Sequence, residues 1–234
     1  MVTETTAMIL AAGRGSRMGA LGEVHPKALL KVGGKPLIQH HIEKLRESGF
    51  SRVVINVSHL SDQIKTFINN VESWGVDICI SEETAPLETA GGIANAMNLL
   101  RSDIFAVINA DIFSELPFLD LREAMNTLQT NSNASGYLFL VNNPPHHPMG
   151  DFCLEEERVK LGDEHTLTFS GIGVYKAELF HDVSLNLPTP LAPILKREIK
   201  REKLMGTHYD GFWSDVGTPD RLEHTNQLIK QRSQ

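Results

Sequence analysis

The stretch MILAAGRGSRM, residues 8–18, decides how the rest of the chain is read. Its apolar half, within TAMILAA, has the composition of a buried strand. That strand runs into a loop of small residues and then into two arginines. In open parallel sheets, ligands bind just beyond the carboxyl ends of the strands. Leu10, Ala11, Ala12, Gly13 and Gly15 lie at that position and are candidate ligand contacts. Small side chains let an anion rest on backbone N–H groups. Arg14 and Arg17 can add charge-assisted hydrogen bonds.

Outward from this loop the pattern alternates. PLIQHHIEKLRESG predicts a helix, with Pro36 at its first position and Gly49 as its stop. Leu37, Ile38, His41, Ile42 and Leu45 share one face at helical spacing. RVVINVS predicts a second strand, residues 60–71 a second helix and VDICIS a third strand. GGIANAMNLL predicts a helix opening directly after two glycines, and IFAVINAD a fourth strand ending on Asp111. Such alternation means βαβ units, and the expected fold is α/β: a Rossmann-like mixed, mostly parallel sheet flanked by helices. Past about residue 130, SGYLFLVN and LTFSGIGVYK are strands around the turn-rich NPPHHPMGD. A helix over 190–202, a strand over 204–209 and a helix from Pro219 follow. No repeat or linker interrupts the chain. The expectation is one domain over residues 1–234, with a nucleotide-binding part to about 130 and a sugar-binding part from about 131.

Composition narrows the function. A formal net charge of −7 argues against a nucleic-acid binder. No apolar run reaches the roughly 20 residues that span a bilayer. MVTETT has no basic start or apolar h-region, and the two cysteines form no disulfide or zinc pattern. The expectation is a cytoplasmic protein acting on a small anionic substrate, free of nucleic acid and membrane. Cys79, in a strand, is expected to be a small buried hydrophobe. The pattern sets no oligomeric state.

The glycine loop admits three readings. A P-loop requires a Gly-Lys-Ser/Thr ending that is absent, and a dinucleotide fingerprint fails because Met18 stands at its third glycine. A turn without a ligand is the second reading. The third rests on two motifs together: MILAAGRGSRM followed by HPKALLKVGGKPLI resembles the opening of the sugar-phosphate nucleotidyltransferases. Ala28 departs from that pattern, standing where the family usually has a second proline. A lone Lys27 would read as a solvated loop residue; in the paired motif it is expected to meet a phosphate. Singly, Asp111 reads equally as a turn or capping residue, and Asp215 as an Asx turn. The resemblance of VINAD and FWSDVGT to the family's metal-binding pair implies that both hold Mg²⁺.

The resemblance runs from about residue 6 to 230 and implies a nucleotidyltransferase fold like that of the glycosyltransferase-A proteins. It implies uridylyl transfer from UTP to a sugar 1-phosphate, releasing pyrophosphate. HHPMGDF and LTFSGI are the more restricted pieces, and they imply N-acetylmuramic acid 1-phosphate as the acceptor and a place in cell-wall recycling. Mannose-1-phosphate guanylyltransferase and glucose-1-phosphate nucleotidyltransferase chemistry are the alternatives; a non-catalytic sugar-nucleotide sensor is the alternative of another class. By the same resemblance Arg17, Lys27 and Asp111 are catalytic. Arg17 and the loop amides hold the leaving pyrophosphate, and Lys27 offsets charge on the α-phosphate. SEETAPLETAGGI surrounds the base: Gly91 and Gly92 let it lie close, and Glu83 or Glu88 accepts a base N–H, the plain alternative being a solvated loop. Asn109, Gly150, Asp151 and Gly171 are the sugar contacts, Asp151 taking the hydroxyls. Asn142, Asn143, His146 and His147 are candidate donors to the lactyl carboxylate. Adjacent histidines rarely chelate one ion, so His146 and His147 are not read as a metal site. No hexapeptide-repeat tail follows the last helix, so no second acetyltransferase activity is expected.

Overall fold

The computed structural model describes residues 4–232. Part of the N-terminal reading falls on residues 1–3, outside that range. The first half contains β1 (Thr6–Leu10), α1 (Ala20–Val24), β2 (Lys31–Val32), β3 (Lys35–Pro36), α2 (Leu37–Glu47), β4 (Arg52–Val57) and α3 (Ser61–Asn69). It continues with β5 (Asp77–Glu82), α4 (Glu88–Asn95), α5 (Met97–Leu100), β6 (Ile104–Asn109), β7 (Ile112–Ser114) and α6 (Leu119–Thr130). The second half contains β8 (Gly136–Val141), β9 (Cys153–Glu155), β10 (Arg158–Lys160), β11 (Thr168–Lys176) and α7 (Leu191–Lys200). β12 (Leu204–Tyr209), β13 (Trp213–Asp215) and α8 (Pro219–Arg232) complete it.

Among the described residues, a nine-stranded sheet runs β5-β4-β1-β6-β11-β8-β12-β10-β9. β5, β4, β1 and β6 are parallel, as the βαβ rhythm requires. β11 enters antiparallel between β6 and β8, so the sheet is mixed. The chain steps from β1 outward to β4 and β5, then returns to place β6 on the other side of β1. That reversal opens a crevice at the carboxyl ends of β1 and β6, where open α/β sheets bind ligands.

Period-two burial places Ala7 and Ile9 of β1 in one core and Met8 in another. The first core packs Ile38, Ile42 and Leu45 of α2, Ile64 and Ile68 of α3, and Leu121, Ala124 and Leu128 of α6. The second packs Ala90 and Ile93 of α4 and Leu191, Ile194, Leu195 and Ile199 of α7. Helices therefore cover both faces of the sheet. Among the described residues, no helix is long and apolar enough to cross a membrane.

Several local expectations are corrected. Pro36 is the N-cap of α2 rather than its first helical residue, while Gly49 follows the helix at φ +77° as expected. α4 begins at Glu88 and carries Gly91 and Gly92 inside it. The cause is packing: a Cβ at Gly91 would lie 2.6 Å from the Leu187 carbonyl oxygen, and one at Gly92 would lie 2.7 Å from Glu83 Oε1. β6 stops at Asn109, and Asp111 follows in a turn before β7. Asp215 ends β13, which pairs with β7, instead of lying in a loop. Cys79 is only half-buried, because β5 is an edge strand.

Candidate active site

Two clefts meet at the carboxyl end of β6. The larger, about 690 Å³, is lined by Leu10, Ala11, Ala12, Gly13, Lys27, Glu83, Glu88, Asn109 and Asp111, among others. The smaller, about 310 Å³, is lined by Arg17, Asn109, Asp111, His146, His147, Gly171 and Asp215, with Trp213 and residues of β11. Asn109 and Asp111 are common to both. Gly15 lies on the far side of the loop, in a cleft it shares with Arg14.

The loop after β1 is held at both ends and open between them. At its start, the Ala11 amide donates to Asn56 Oδ1 at 2.8 Å. Asn56 Nδ2 in turn donates to Glu83 Oε1 at 2.7 Å, and Glu83 Oε2 accepts the Leu87 amide at 3.0 Å. At its end, Met18 is 2% exposed in a cluster with Leu30, Val32, Leu37 and Val216. Burying Met18 turns the neighbouring Arg17 outward. Gly15 adopts φ +68°, and a Cβ on Gly22 would lie 2.4 Å from the Gly15 oxygen. Among the described residues, the amides of Gly13, Arg14 and Gly15 have no backbone partner. Three unpaired amides beside two arginines make an anion cradle.

Charge is matched across the seam. Lys27 Nζ donates to Asp111 Oδ2 at 2.9 Å, its stem running along Gly15. Arg221 of α8 donates to Asp215 Oδ2. The guanidinium also donates to His146 Nε2 at 2.7 Å. A guanidinium has only donors, so that imidazole nitrogen is the acceptor. It lies 3.0 Å from Asp215 Oδ1 with its lone pair already engaged. Oδ1 is consequently a buried oxygen without a hydrogen-bond partner among the described residues. A buried unpaired carboxylate oxygen carries a desolvation cost that a cation would relieve.

A buried histidine supports the seam from beneath. His41 of α2 stacks on Phe118 and faces the backbone of Ala110 and Ile112. Burial, with Lys44 and His40 nearby, lowers its pKa to about 3, so the ring is neutral.

Three expected site residues lie elsewhere. Gly91 faces the 187–189 segment rather than a cleft. Gly150, at φ +58°, is a turn residue packed on Asn143 and Thr166. Asp151 accepts the Phe169 amide at 2.8 Å and faces His147 Nε2 at 3.1 Å, so it fastens the 144–151 turn to β11. Neither Gly150 nor Asp151 lines a cleft. Of the proposed lactyl donors, Asn142 pairs with His208, and Asn143 donates to the Thr166 and Pro148 carbonyls. His146 and His147 alone among them reach the smaller cleft. Gly171 does line it; a Cβ there would lie 2.6 Å from Asn109 Nδ2. Sequence reasoning missed Asn56 and Arg221. The signal that could have found the first is its being a lone polar residue near the end of the apolar run RVVINV; the second had no signal beyond its place after Gly217.

Among the described residues, no three or more His, Cys, Asp or Glu side chains form a metal cluster. Two carboxylates completed by phosphate oxygens and water are the ordinary set for Mg²⁺. Asp111 and Asp215, with the unpaired Oδ1, fit that donor set.

Comparison with known proteins gives the family and the fold. The chain is 41% identical over 226 residues to N-acetylmuramate alpha-1-phosphate uridylyltransferase of Neisseria meningitidis serogroup B, covering 95% of this chain and 97% of that protein. It is 28% identical to mannose-1-phosphate guanyltransferase of Gibberella zeae, spanning 60% of that protein's length and 91% of its own. HddC from Yersinia pseudotuberculosis superposes with a TM-score of 0.79 at 19% identity, covering 96% of this chain and 99% of that one. UDP-glucose pyrophosphorylase complexed with UDP-glucose does so with a TM-score of 0.75 at 16% identity, covering 97% and 99%. Residues 6–232 match the nucleotidyl transferase family, and with the identity to the Neisseria uridylyltransferase this places the chain in that family.

Proposed function

We propose that this chain transfers a uridylyl group from UTP to N-acetylmuramic acid 1-phosphate, forming the UDP-sugar and pyrophosphate. The observation that carries the reading is the meeting of two clefts at Asn109 and Asp111, the larger bordering the loop with free amides and the smaller lined by Arg17, His146, His147 and Asp215. The acceptor follows the Neisseria relative. One domain serves both substrates, the nucleotide over about 1–130 and the sugar over about 131–234; the sheet spanning both parts supports this. Two free cysteines support a cytoplasmic setting, and the muramic acceptor supports a role in peptidoglycan recycling.

An acceptor phosphate oxygen attacks the α-phosphorus, and the bond from that phosphorus to the bridging oxygen of the pyrophosphate breaks in line. A phosphate monoester is already nucleophilic, so the protein's task is positioning and charge stabilisation. The free loop amides and Arg14 hold the departing pyrophosphate; Arg17, expected beside them, lines the smaller cleft and faces the acceptor phosphate. Lys27 stands at the junction, where negative charge grows on the α-phosphate. Glu83 is committed to Asn56 and Leu87, which leaves exposed Glu88 as the side chain free to accept the uracil N–H. Asp111 and Asp215 would hold Mg²⁺, which when bound supplies charge neutralisation and orientation of phosphate oxygens. Pyrophosphate release with UTP and a panel of sugar 1-phosphates tests the reading. Release only with an acceptor present is expected; nucleotide binding without release would make the chain a sensor.

A further inference from the structure

Each carboxylate proposed for the cation is neutralised through its Oδ2, Asp111 by Lys27 and Asp215 by Arg221. Lys27 sits among the substrate-facing residues, whereas Arg221 lines neither cleft. Arg221 is instead wedged. Its Nε lies 3.3 Å from Thr218 Oγ1, and one terminal nitrogen bonds both Asp215 Oδ2 and His146 Nε2. The other terminal nitrogen lies against Gly217, where a Cβ would approach it to 2.4 Å. The guanidinium thus holds one oxygen of Asp215, occupies the imidazole nitrogen that would otherwise donate to the second, and leaves Oδ1 buried and unpaired.

We propose that Arg221 is a positioning residue for the cation. It fixes the Asp215 carboxylate so that Oδ1 is the oxygen left for the metal, and through His146 it ties that carboxylate to the 144–151 turn on the acceptor side. The inference rests on the reading of Asp215 as a cation ligand. Fork geometry matters, because a lysine cannot bond Asp215, His146 and Thr218 from one rigid plane. Gly217 is explained by the same arrangement: it makes room for the guanidinium.

The test is Mn²⁺ binding to the full chain without nucleotide, followed by water-proton relaxation. Arg221→Met and Gly217→Ala are compared with the unmodified protein and with Asp215→Asn. Arg221→Met is expected to weaken Mn²⁺ binding by about tenfold or more, the range that outer partners of metal ligands contribute. Gly217→Ala keeps the charge and displaces the guanidinium, its Cβ meeting Asp215 Oδ2 only at 3.4 Å, an ordinary contact distance; it is expected to weaken binding in the same direction, and it decides the matter if Arg221→Met fails to fold. Arg221→Lys is expected to fall between them. If Asp215→Asn weakens Mn²⁺ binding while the Arg221 and Gly217 variants bind as tightly or more tightly than the unmodified chain, the positioning role is overturned alone. If Asp215→Asn has no effect either, the cation reading of Asp215 falls with it.

Discussion

The larger cleft, proposed for the nucleotide, borders a loop of free backbone amides, whereas the smaller, proposed for the acceptor, is lined mostly by side chains. At the first, the loop after β1 presents the amides of Gly13, Arg14 and Gly15, held at its start by Asn56 in the cleft wall and at its end by Met18 in an apolar cluster. At the second, Arg17, His146, His147 and Asp215 project from three separate segments, and a turn fastened by Asp151 brings the two histidines in. A backbone cradle recognises what every nucleoside triphosphate shares. Side chains on a turn can be exchanged without disturbing the sheet, which suits the choice of sugar.

Substitutions at the seam should hit both ends together. Asp111→Ala and Asp215→Ala are each expected to lower kcat by roughly three orders of magnitude, a loss of several kcal/mol of charge stabilisation. The double variant should be hardly worse than either single one, since one shared function is lost. Circular dichroism should stay native. A near-native rate in either single variant with Mg²⁺ present would remove that residue from the reaction.

Lys27→Ala is expected to lower kcat about 100-fold while changing the KM for UTP much less, because its charge matters most as the α-phosphate becomes more negative. An effect confined to KM would move Lys27 to ground-state binding of the nucleotide.

His41 links the nucleotide half to acid stability. Unfolded, the imidazole takes up a proton below about 6.5; folded, it does so only near 3. Stability from the neutral ring is therefore whole above the unfolded value and is lost as pH falls towards 3. Between pH 7.5 and 5 the loss should be about 2 kcal/mol. Denaturant unfolding of His41→Gln at the two values should lack that increment; parallel losses in both proteins would contradict the assignment.

Gly92→Ala sharpens the comparison further. The added methyl meets Glu83 Oε1 and Asn56 Nδ2, the clamp that holds Ala11. Raising the KM for UTP about tenfold, near the worth of one lost hydrogen bond, is expected, with the acceptor KM unchanged. An equal rise for both substrates would mean the two ends are not separately built. Replacing His146 and His147 together should do the reverse. Their change is expected to erode a roughly tenfold sugar preference while leaving the UTP KM in place.

The parallel half of the fold was legible because its signals are local: six-residue apolar runs, amphipathic helices and a glycine after α2. So was the lining of the larger cleft, which clusters in a few short segments. Less was visible where a residue's task depends on distant partners. Gly91 and Gly92 read as openings for a base, yet each is filled by protein from another segment. Asp151 read as a sugar ligand, but its oxygens face Phe169 and His147. Arg221 acquires its meaning only when α8 packs beside the 144–151 turn, a contact 75 residues apart in the chain. The short pairings β7–β13 and β9–β10 were missed because three-residue strands carry too little alternation to register.

The central claim is that the side-chain-built end selects the muramic sugar. Its most direct test is a competition. The unmodified chain is given UTP, Mg²⁺ and equal amounts of N-acetylmuramic acid 1-phosphate and N-acetylglucosamine 1-phosphate, and the UDP-sugars are resolved by mass at early times. Their ratio is the ratio of kcat/KM. An excess of the muramic product of about tenfold or more is predicted, equivalent to about 1.4 kcal/mol of differential transition-state binding. Equal amounts, or an excess of the simpler sugar, would contradict the account.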